Sequence, residues 1–514
     1  MSWTHRIRIL VLALSIALPA AAERVPITLL QINDVYEISP VQGGREGGIA
    51  RLATLRRQLQ RENPRTFLLL AGDAFSPSAL GTAELDGARI DGAQMVAALN
   101  AAGLDYATFG NHEFDIPEAH FLARIRESHA VWFSGNCRDL QGQPFPGVPE
   151  SVIFTVRGAQ GAAVRIGLIG VTLDSTKAPW VRYLDPLETA RQQAQALRPK
   201  VDILIAVTHL ALADDQRLAE TVPELDLILG GHEHENWRLY RGAHFTPILK
   251  ADANARSAYV HELVFDTGAK TLQIRSTLRR ITPEIPEDPA TAAVVRDWTE
   301  KAFRAFRARG FAPEATVAQA PIALDGEESR VRNGSTALTS LIGQAMLREW
   351  PEADAAIFNS GSIRIDDEIP PGPVTQYDIL RILPFGGKVL GVEMKGSLLA
   401  RVLEAGRANR GSGGFLQLAN IAPSADGASW TVGGKPLDPQ KSYRIAISDY
   451  LLTGKEQGLD FLTRTADGVS ALREFRDIRF ALIEEMKTQW KAEPVAGAGN
   501  CPRHFSATAA RAGF

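Results

Sequence analysis

Five short segments of this sequence combine metal-binding side chains with tight-turn or strand-end residues. They are Asn33-Asp34, Gly72-Asp73, Gly110-Asn111-His112, Thr208-His209 and Gly230-Gly231-His232-Glu233-His234. Asp34 and Asp73 offer carboxylate oxygen, Asn111 an amide oxygen, and His209, His232 and His234 imidazole nitrogen. Imidazole suits transition ions and carboxylate suits harder ones, so a mixed shell favours Zn, Mn, Co or Fe. A central carboxylate can bridge two such ions, and two ions about 3.5–4 Å apart suit in-line displacement at phosphorus. Singly, each segment has a plainer reading: Gly-Asp is usually a turn, and a histidine after a strand is usually a satisfied buried one. Together, and in this order, they point to one site.

The elements that must position these residues are legible as apolar runs. Ile27–Ile32, Phe67–Leu70, Tyr106–Phe109, Val201–Val207 and Leu225–Leu229 each end just before one of the five segments. Nearly continuous aliphatic runs are expected of strands covered on both faces. In open α/β sheets the loops at the carboxyl ends of strands gather on one edge, where ligands bind. Gly48–Arg61 and Ala93–Ala102 read as intervening helices, the second closed by Gly103. From Val25 to about Thr282 the pattern is that of a layered α/β domain. Pro283, Pro286 and Pro289 mark a boundary. Ala290–Arg309 then reads as one amphipathic helix, with Val295, Trp298, Ala302, Phe303 and Phe306 on a single face. Beyond Gly310 shorter apolar runs and glycine-bearing loops suggest an α+β domain. The expected division is a signal segment over 1–22, a first domain over 23–285, a linker helix over 286–312 and a second domain over 313–514.

The chain has 514 residues, 45% hydrophobic and 22% charged, with a net charge of -3. That length fits two or three domains. The charge balance excludes a strong field for nucleic-acid polymers or anionic membranes. His5, Arg6 and Arg8, the short apolar run Ile9–Leu18 and Ala20-Ala21-Ala22 read as a secretory signal, too short to span a bilayer comfortably. Export is expected, with the periplasm as the compartment and no membrane attachment after cleavage. Cys137 and Cys501 lack metal-site spacing and are read as structural, paired or free.

The five segments, with Glu113, Phe114 and Asp115 extending the third, resemble those of the calcineurin-like metallophosphoesterases. Within that group the chain is similar to the exported 5′-nucleotidase and nucleotide-sugar hydrolase family over nearly its whole mature length. The resemblance implies an N-terminal four-layer α/β/β/α sandwich, a C-terminal α+β substrate-binding domain and two divalent metal ions. It assigns Asp34, Asp73 and His234 to one ion and Asp73, Asn111, His209 and His232 to the other, with Asp73 bridging. It makes His112 the group that stabilises the transition state and assists the leaving alkoxide. Asp115 would orient its ring, or would alternatively cap a helix entered at Pro117. The family usually has Asp-x-His at the first segment, where this chain has Asp34-Val35-Tyr36. Either the first ion takes water there, or Tyr36 binds as phenolate to a harder ion such as Fe³⁺; a weaker or differently selective first site is expected.

In the second half, Asn359-Ser360-Gly361-Ser362-Ile363-Arg364 resembles the family's Asn-x-Gly-x-Ile-Arg motif, whose asparagine and arginine contact nucleotide. Pro384-Phe385-Gly386 and Ser448-Asp449-Tyr450 resemble the segments that supply two rings, so Phe385 and Tyr450 would sandwich a base; Phe385 could otherwise be core. Gly334 stands where relatives carry a phosphate-holding arginine, with Arg332 a nearby substitute. The usual ribose loop is replaced by Gly454–Asp460, in which Asp460 or Glu456 could hold the hydroxyls. The implied activity is hydrolysis of nucleoside 5′-monophosphates, extending to nucleotide sugars. Cyclic nucleotides or a thiosulfonate group on the same dimetal scaffold, and a nucleotide-binding protein whose catalysis has lapsed, are the competing readings.

Overall fold

Period-two burial along the strands builds the first unit. In the Arg24–Ile32 strand Ile27 and Leu29 face one side, and in the Ile203–His209 strand Ile203, Ile205 and Val207 do the same. These residues meet in one dry core with Val164, Ile166, Leu168, Leu227 and Leu229. Alternate side chains on a pleated strand point to opposite faces, so Leu204, Ala206 and Ile228 join a second core instead, under the helices Pro186–Leu197 and Leu212–Thr221.

The computed structural model describes residues 22–176 and 178–490. The signal reading over 1–22 falls, except for Ala22, outside them, as does Cys501. Among the described residues no helix is long and apolar enough to cross a membrane. The chain divides into two compact units, one ending at Arg309 and one starting at Gly310.

The first unit holds two six-stranded sheets. One runs Thr271–Arg280, Ser257–Asp266, Arg24–Ile32, Thr66–Ala71, Tyr106–Thr108, Val131–Trp132 in spatial order; the other runs Trp237–Arg241, Thr246–Lys250, Leu227–Gly230, Ile203–His209, Ala163–Thr172, Ser151–Arg157. The inner strands of both are parallel. Helix Ile49–Glu62 packs on the Thr66–Ala71 strand of the first sheet with Ala93–Ala102 against it, completing four layers, α/β/β/α. The latter stops at Gly103, whose φ of 81° is the left-handed conformation that terminates a helix. The amphipathic helix after the proline cluster spans Pro289–Ala308, with Asp288 capping it through Thr291 N–H. Its buried Val295, Ala302 and Phe306 belong to a face that packs on the Ile49–Glu62 and Ala93–Ala102 helices. The helix is thus a packed part of the first unit. Trp298 is only partly buried and lies under the Lys301 ammonium at 4.6 Å.

The second unit is α+β. Its five-stranded sheet runs Leu416–Ala419, Ala355–Asn359, Ser442–Ser448, Lys388–Lys395, Val469–Asp477. Helix Gly396–Ala408 contributes Leu399, Val402 and Leu403 to the core on one side; helices Ala337–Glu349 and Ile478–Gln489 pack together.

Candidate active site

Each of the five segments leaves the carboxyl end of a strand. Asn33-Asp34 follows Ile32, Gly72-Asp73 follows Ala71, Gly110-Asn111 lies just past Thr108, His209 ends its own strand, and Gly231–His234 follows Gly230. The first three come from one sheet and the last two from the other, and the stacked sheets bring them together. One carboxylate oxygen each of Asp34 and Asp73 and a ring nitrogen of His209 lie within 4.8 Å of one another. Asp73 Oδ2 is 3.2 Å from His209 Nε2, and Asp34 Oδ1 is 3.5 Å from His234 Nε2. The rings of His209 and His232 are 5.4 Å apart.

The backbone is bent to achieve this. Asp34, Asp73 and His232 have φ of 52°, 61° and 84°, a region L-residues seldom occupy and one that clusters at functional sites. Gly72 has φ 82°, and a Cβ there would stand 2.5 Å from His209 Nδ1. Surrounding polar groups hold the bends. Glu113 is fully buried and accepts N–H bonds from Asp73 (2.9 Å), Ala74 (2.6 Å), Phe75 (3.2 Å) and Gly110 (2.5 Å). Burial and the neighbouring Asp73 charge push its carboxyl up to about 7, against the four donors that favour its ionised form. Asn33 donates to Asp34 Oδ2 at 2.7 Å and exchanges two bonds with the Ala251 backbone. Lys250, with no exposed surface, donates to the carbonyls of Leu210 (2.7 Å) and Gly231 (2.8 Å) and pairs with Asp215 and Glu233.

This cluster fits metal ions. His209 Nδ1 lies 2.9 Å from the Ala71 carbonyl and donates to it, which turns Nε2 towards Asp73. That buried Nε2, and the buried Oδ1 of Asn111, have no hydrogen-bond partner, an uncommon state for buried polar atoms unless a ligand meets them. The charges agree. Burial alone would raise Asp34 and Asp73, but the imidazoles beside them, His209 foremost, hold both below the usual carboxylate range. Burial would likewise lower His209, yet Asp73 and Asp34 pull it up to about 9. Burial, then the charge of His209, push His232 down to about 3. The carboxylates and the imidazoles thus hold opposite charge at close range.

His112 stands at the edge of this cluster. Its amide donates to Asp73 Oδ1 at 2.8 Å, and its Nδ1 is 2.5 Å from Asp115 Oδ2. Its side chain remains 18% exposed, so a substrate can reach it. The helix Glu118–Glu127 begins at Pro117 without a side-chain cap, so Asp115 serves His112 and not the helix. Tyr36 is 4% exposed and packs inside the cluster, its Oη 2.9 Å from Asp73 Oδ2, 3.3 Å from Asp34 Oδ1 and 3.2 Å from His234 Nε2.

In the second unit, Asn359 ends its strand, and Asp449-Tyr450 follow Ser448, the end of the parallel strand beside it; the turn Phe385–Gly387 enters the strand antiparallel to the latter. Together they border a cavity of about 530 Å³ that is lined by Asn359, Arg364, Phe385, Tyr450, Glu456 and Arg464, among others. Phe385 and Tyr450 are 50% and 42% exposed, so neither is core. Asn359 Nδ2 donates to Glu456 Oε2 at 2.8 Å, while Ser362 donates to Asn359 Oδ1 at 2.6 Å. Of the two carboxylates considered for ribose, Glu456 borders the cavity; Asp460 is exposed and does not. Leu459, next to Asp460, is fully buried. Arg332 pairs with Glu328, which also lies 3.5 Å from Arg364. Glu113, Lys250, Glu456 and Arg464 are the residues that reasoning from sequence left without a role, or, for Glu456, without a choice.

Two stacked sheets that close a carboxylate–imidazole cluster at their shared strand ends define a metallophosphoesterase, a hydrolase of phosphoric esters. Residues 27–236 match the calcineurin-like phosphoesterase family, and residues 314–464 match the 5′-nucleotidase C-terminal domain. The two matches stand in the chain one after the other, the phosphoesterase segment first. The chain is 28% identical to protein UshA of Yersinia enterocolitica, over 83% of this chain and 85% of that one, and 26% identical to the 5′-nucleotidase of Bos taurus, over 86% of each. Among solved structures it is similar to the 5′-nucleotidase precursor of Thermus thermophilus, with a TM-score of 0.72 at 22% identity, over 90% of this chain and 97% of that one.

Proposed function

We propose that this protein hydrolyses nucleoside 5′-monophosphates to nucleoside and phosphate, and that nucleotide sugars are further substrates. The observation that carries the reading is the pairing of a buried Asp34–Asp73–His209 cluster with an accessible His112–Asp115 dyad in one unit, and an aromatic-walled cavity in the other. Asp34, Asp73, Asn111, His209, His232 and His234 would hold two metal ions. When bound, such ions supply a nucleophile at neutral pH and electrostatic stabilisation of the phosphoryl oxygens. Asp115 fixes the His112 ring through Nδ1, leaving Nε2 to meet the charge that develops on the phosphoryl group and its leaving oxygen. Phe385 and Tyr450 would hold a base between them, and Glu456 would accept the ribose hydroxyls. A pure binding protein has no use for the His112–Asp115 pair.

The test is phosphate release from AMP, UDP-glucose, cyclic AMP and a thiosulfonate substrate, by apo-protein reloaded with Mn, Zn, Co, Mg or Fe. AMP turnover is expected to be highest. Replacing His112 with Ala is expected to lower kcat by about 10²- to 10⁴-fold with little change in nucleotide affinity. An unchanged kcat refutes the assigned role, and turnover of the thiosulfonate alone refutes the substrate class.

A further inference from the structure

The phenol of Tyr36 has more acceptors around it than it has protons. Within 3.3 Å of its Oη lie oxygens of two carboxylates, Asp34 and Asp73, and the Nε2 of His234. A phenol carries one O–H. It satisfies one carboxylate, and the second oxygen–oxygen approach remains a contact between lone pairs in a buried place. The spacings have a common explanation. Donor atoms each about 2.0–2.2 Å from a shared ion stand about 2.9–3.5 Å from one another at octahedral or tetrahedral angles. The observed separations, 2.9, 3.2, 3.3 and, for Asp34 to His234, 3.5 Å, fall in that interval.

We propose that Tyr36 is a phenolate ligand and that the ion it shares with Asp34, Asp73 and His234 is ferric iron. This rests on reading the cluster as the phosphoesterase metal centre and names the ion at one of its two positions. Ion binding would release the phenol proton to solvent, as it does for other protonated ligands. Three anionic oxygens then surround one ion, with a single imidazole. That donor set is harder and more negative than one with histidine at position 36, and it selects a trivalent, hard cation over Zn²⁺ or Mn²⁺. The second position, with Asn111, His209 and His232 around the shared Asp73, keeps the nitrogen-rich character suited to a divalent ion.

The test is optical. Apo-protein loaded with ferric iron and then zinc is expected to bind one iron per chain and to show a visible phenolate-to-iron charge-transfer band. Resonance Raman excitation in that band should enhance tyrosine ring modes. Tyr36→Phe, which keeps the packing, should lose the band while still taking up the divalent ion. Tyr36→His should lose the band and shift uptake towards zinc at both positions. A ferric-loaded wild type without the band, or a band that survives in Tyr36→Phe, overturns the proposal. Nucleotide hydrolysis by Mn-loaded protein, followed in parallel, separates the two failures: activity without a ferric band sinks only the iron assignment, whereas absence of both metal uptake and hydrolysis sinks the phosphoesterase reading as well.

Discussion

Glu113 shows what kind of residue escapes a reading of motifs. It sits inside the same short segment as Asn111, His112 and Asp115, yet it is fully buried and its oxygens go to the backbone. Its four partners are main-chain N–H groups of the segment that carries Asp73, and of Gly110 before Asn111. Backbone donors are carried by almost every residue, so nothing in their sequence announces that they need an acceptor. Metal-ligand types, by contrast, are few, and their placement after apolar runs made the cluster legible from the residues alone. Lys250 escaped for the same reason as Glu113, since two of its partners are carbonyls. Glu456 lay undecided beside Asp460 because only the folded loop separates the carboxylate that borders the cavity from the exposed one. Replacing Glu113 with Ala strands four N–H groups in a buried place, each costing about 1–3 kcal/mol if it finds no other partner. A loss of about 3 kcal/mol or more in urea unfolding is expected, with weaker metal uptake by calorimetry; a variant of wild-type stability would show that water replaces the carboxylate.

At the scale of elements, strand ends and turns matter more than strand interiors. The apolar runs located the strands to within three residues. Val201 and Leu225 begin their runs but precede their strands, which start at Ile203 and Leu227. The helix before the second unit was visible from its spacing, while its packing surface was not, because an amphipathic face does not name its partner. The left-handed bends at Asp34, Asp73 and His232 were also invisible, since aspartate and histidine usually take ordinary conformations. Gly72 is where this can be probed. Gly72→Ala forces a methyl towards His209 in a left-handed conformation that costs about 1 kcal/mol for a Cβ-bearing residue before any clash is counted. The expected outcome is intact secondary structure by circular dichroism with metal affinity reduced at least 10-fold; unchanged affinity would mean that the bend is not needed to aim the ligands.

Across the whole molecule, each unit has its own apolar core, and the first is the one whose stability should respond to mild acid. His261 is buried between Gln31 Oε1 at 3.0 Å and Ser276 Oγ at 2.8 Å, and burial pushes its imidazole from 6.5 down to about 3. The folded form therefore holds it neutral where the unfolded chain would protonate it. Stability from this group is complete above about pH 6.5 and is lost as pH falls towards 3. Comparing urea midpoints of wild type and His261→Gln from pH 7 to pH 4 isolates the effect. The wild-type advantage should shrink as pH falls; a difference independent of pH would show that the histidine is not held neutral.

The buried ammonium of Lys250 has one more consequence. It ties down the carbonyls of Leu210, next to His209, and Gly231, next to His232, using only atoms of the chain. The two histidines proposed to hold an ion are moored by the chain itself, so little ordering entropy is left for binding to consume. Ion exchange becomes a matter of traffic through a standing cage, and stripped protein should recharge on mixing, without the lag that refolding of a loop would impose.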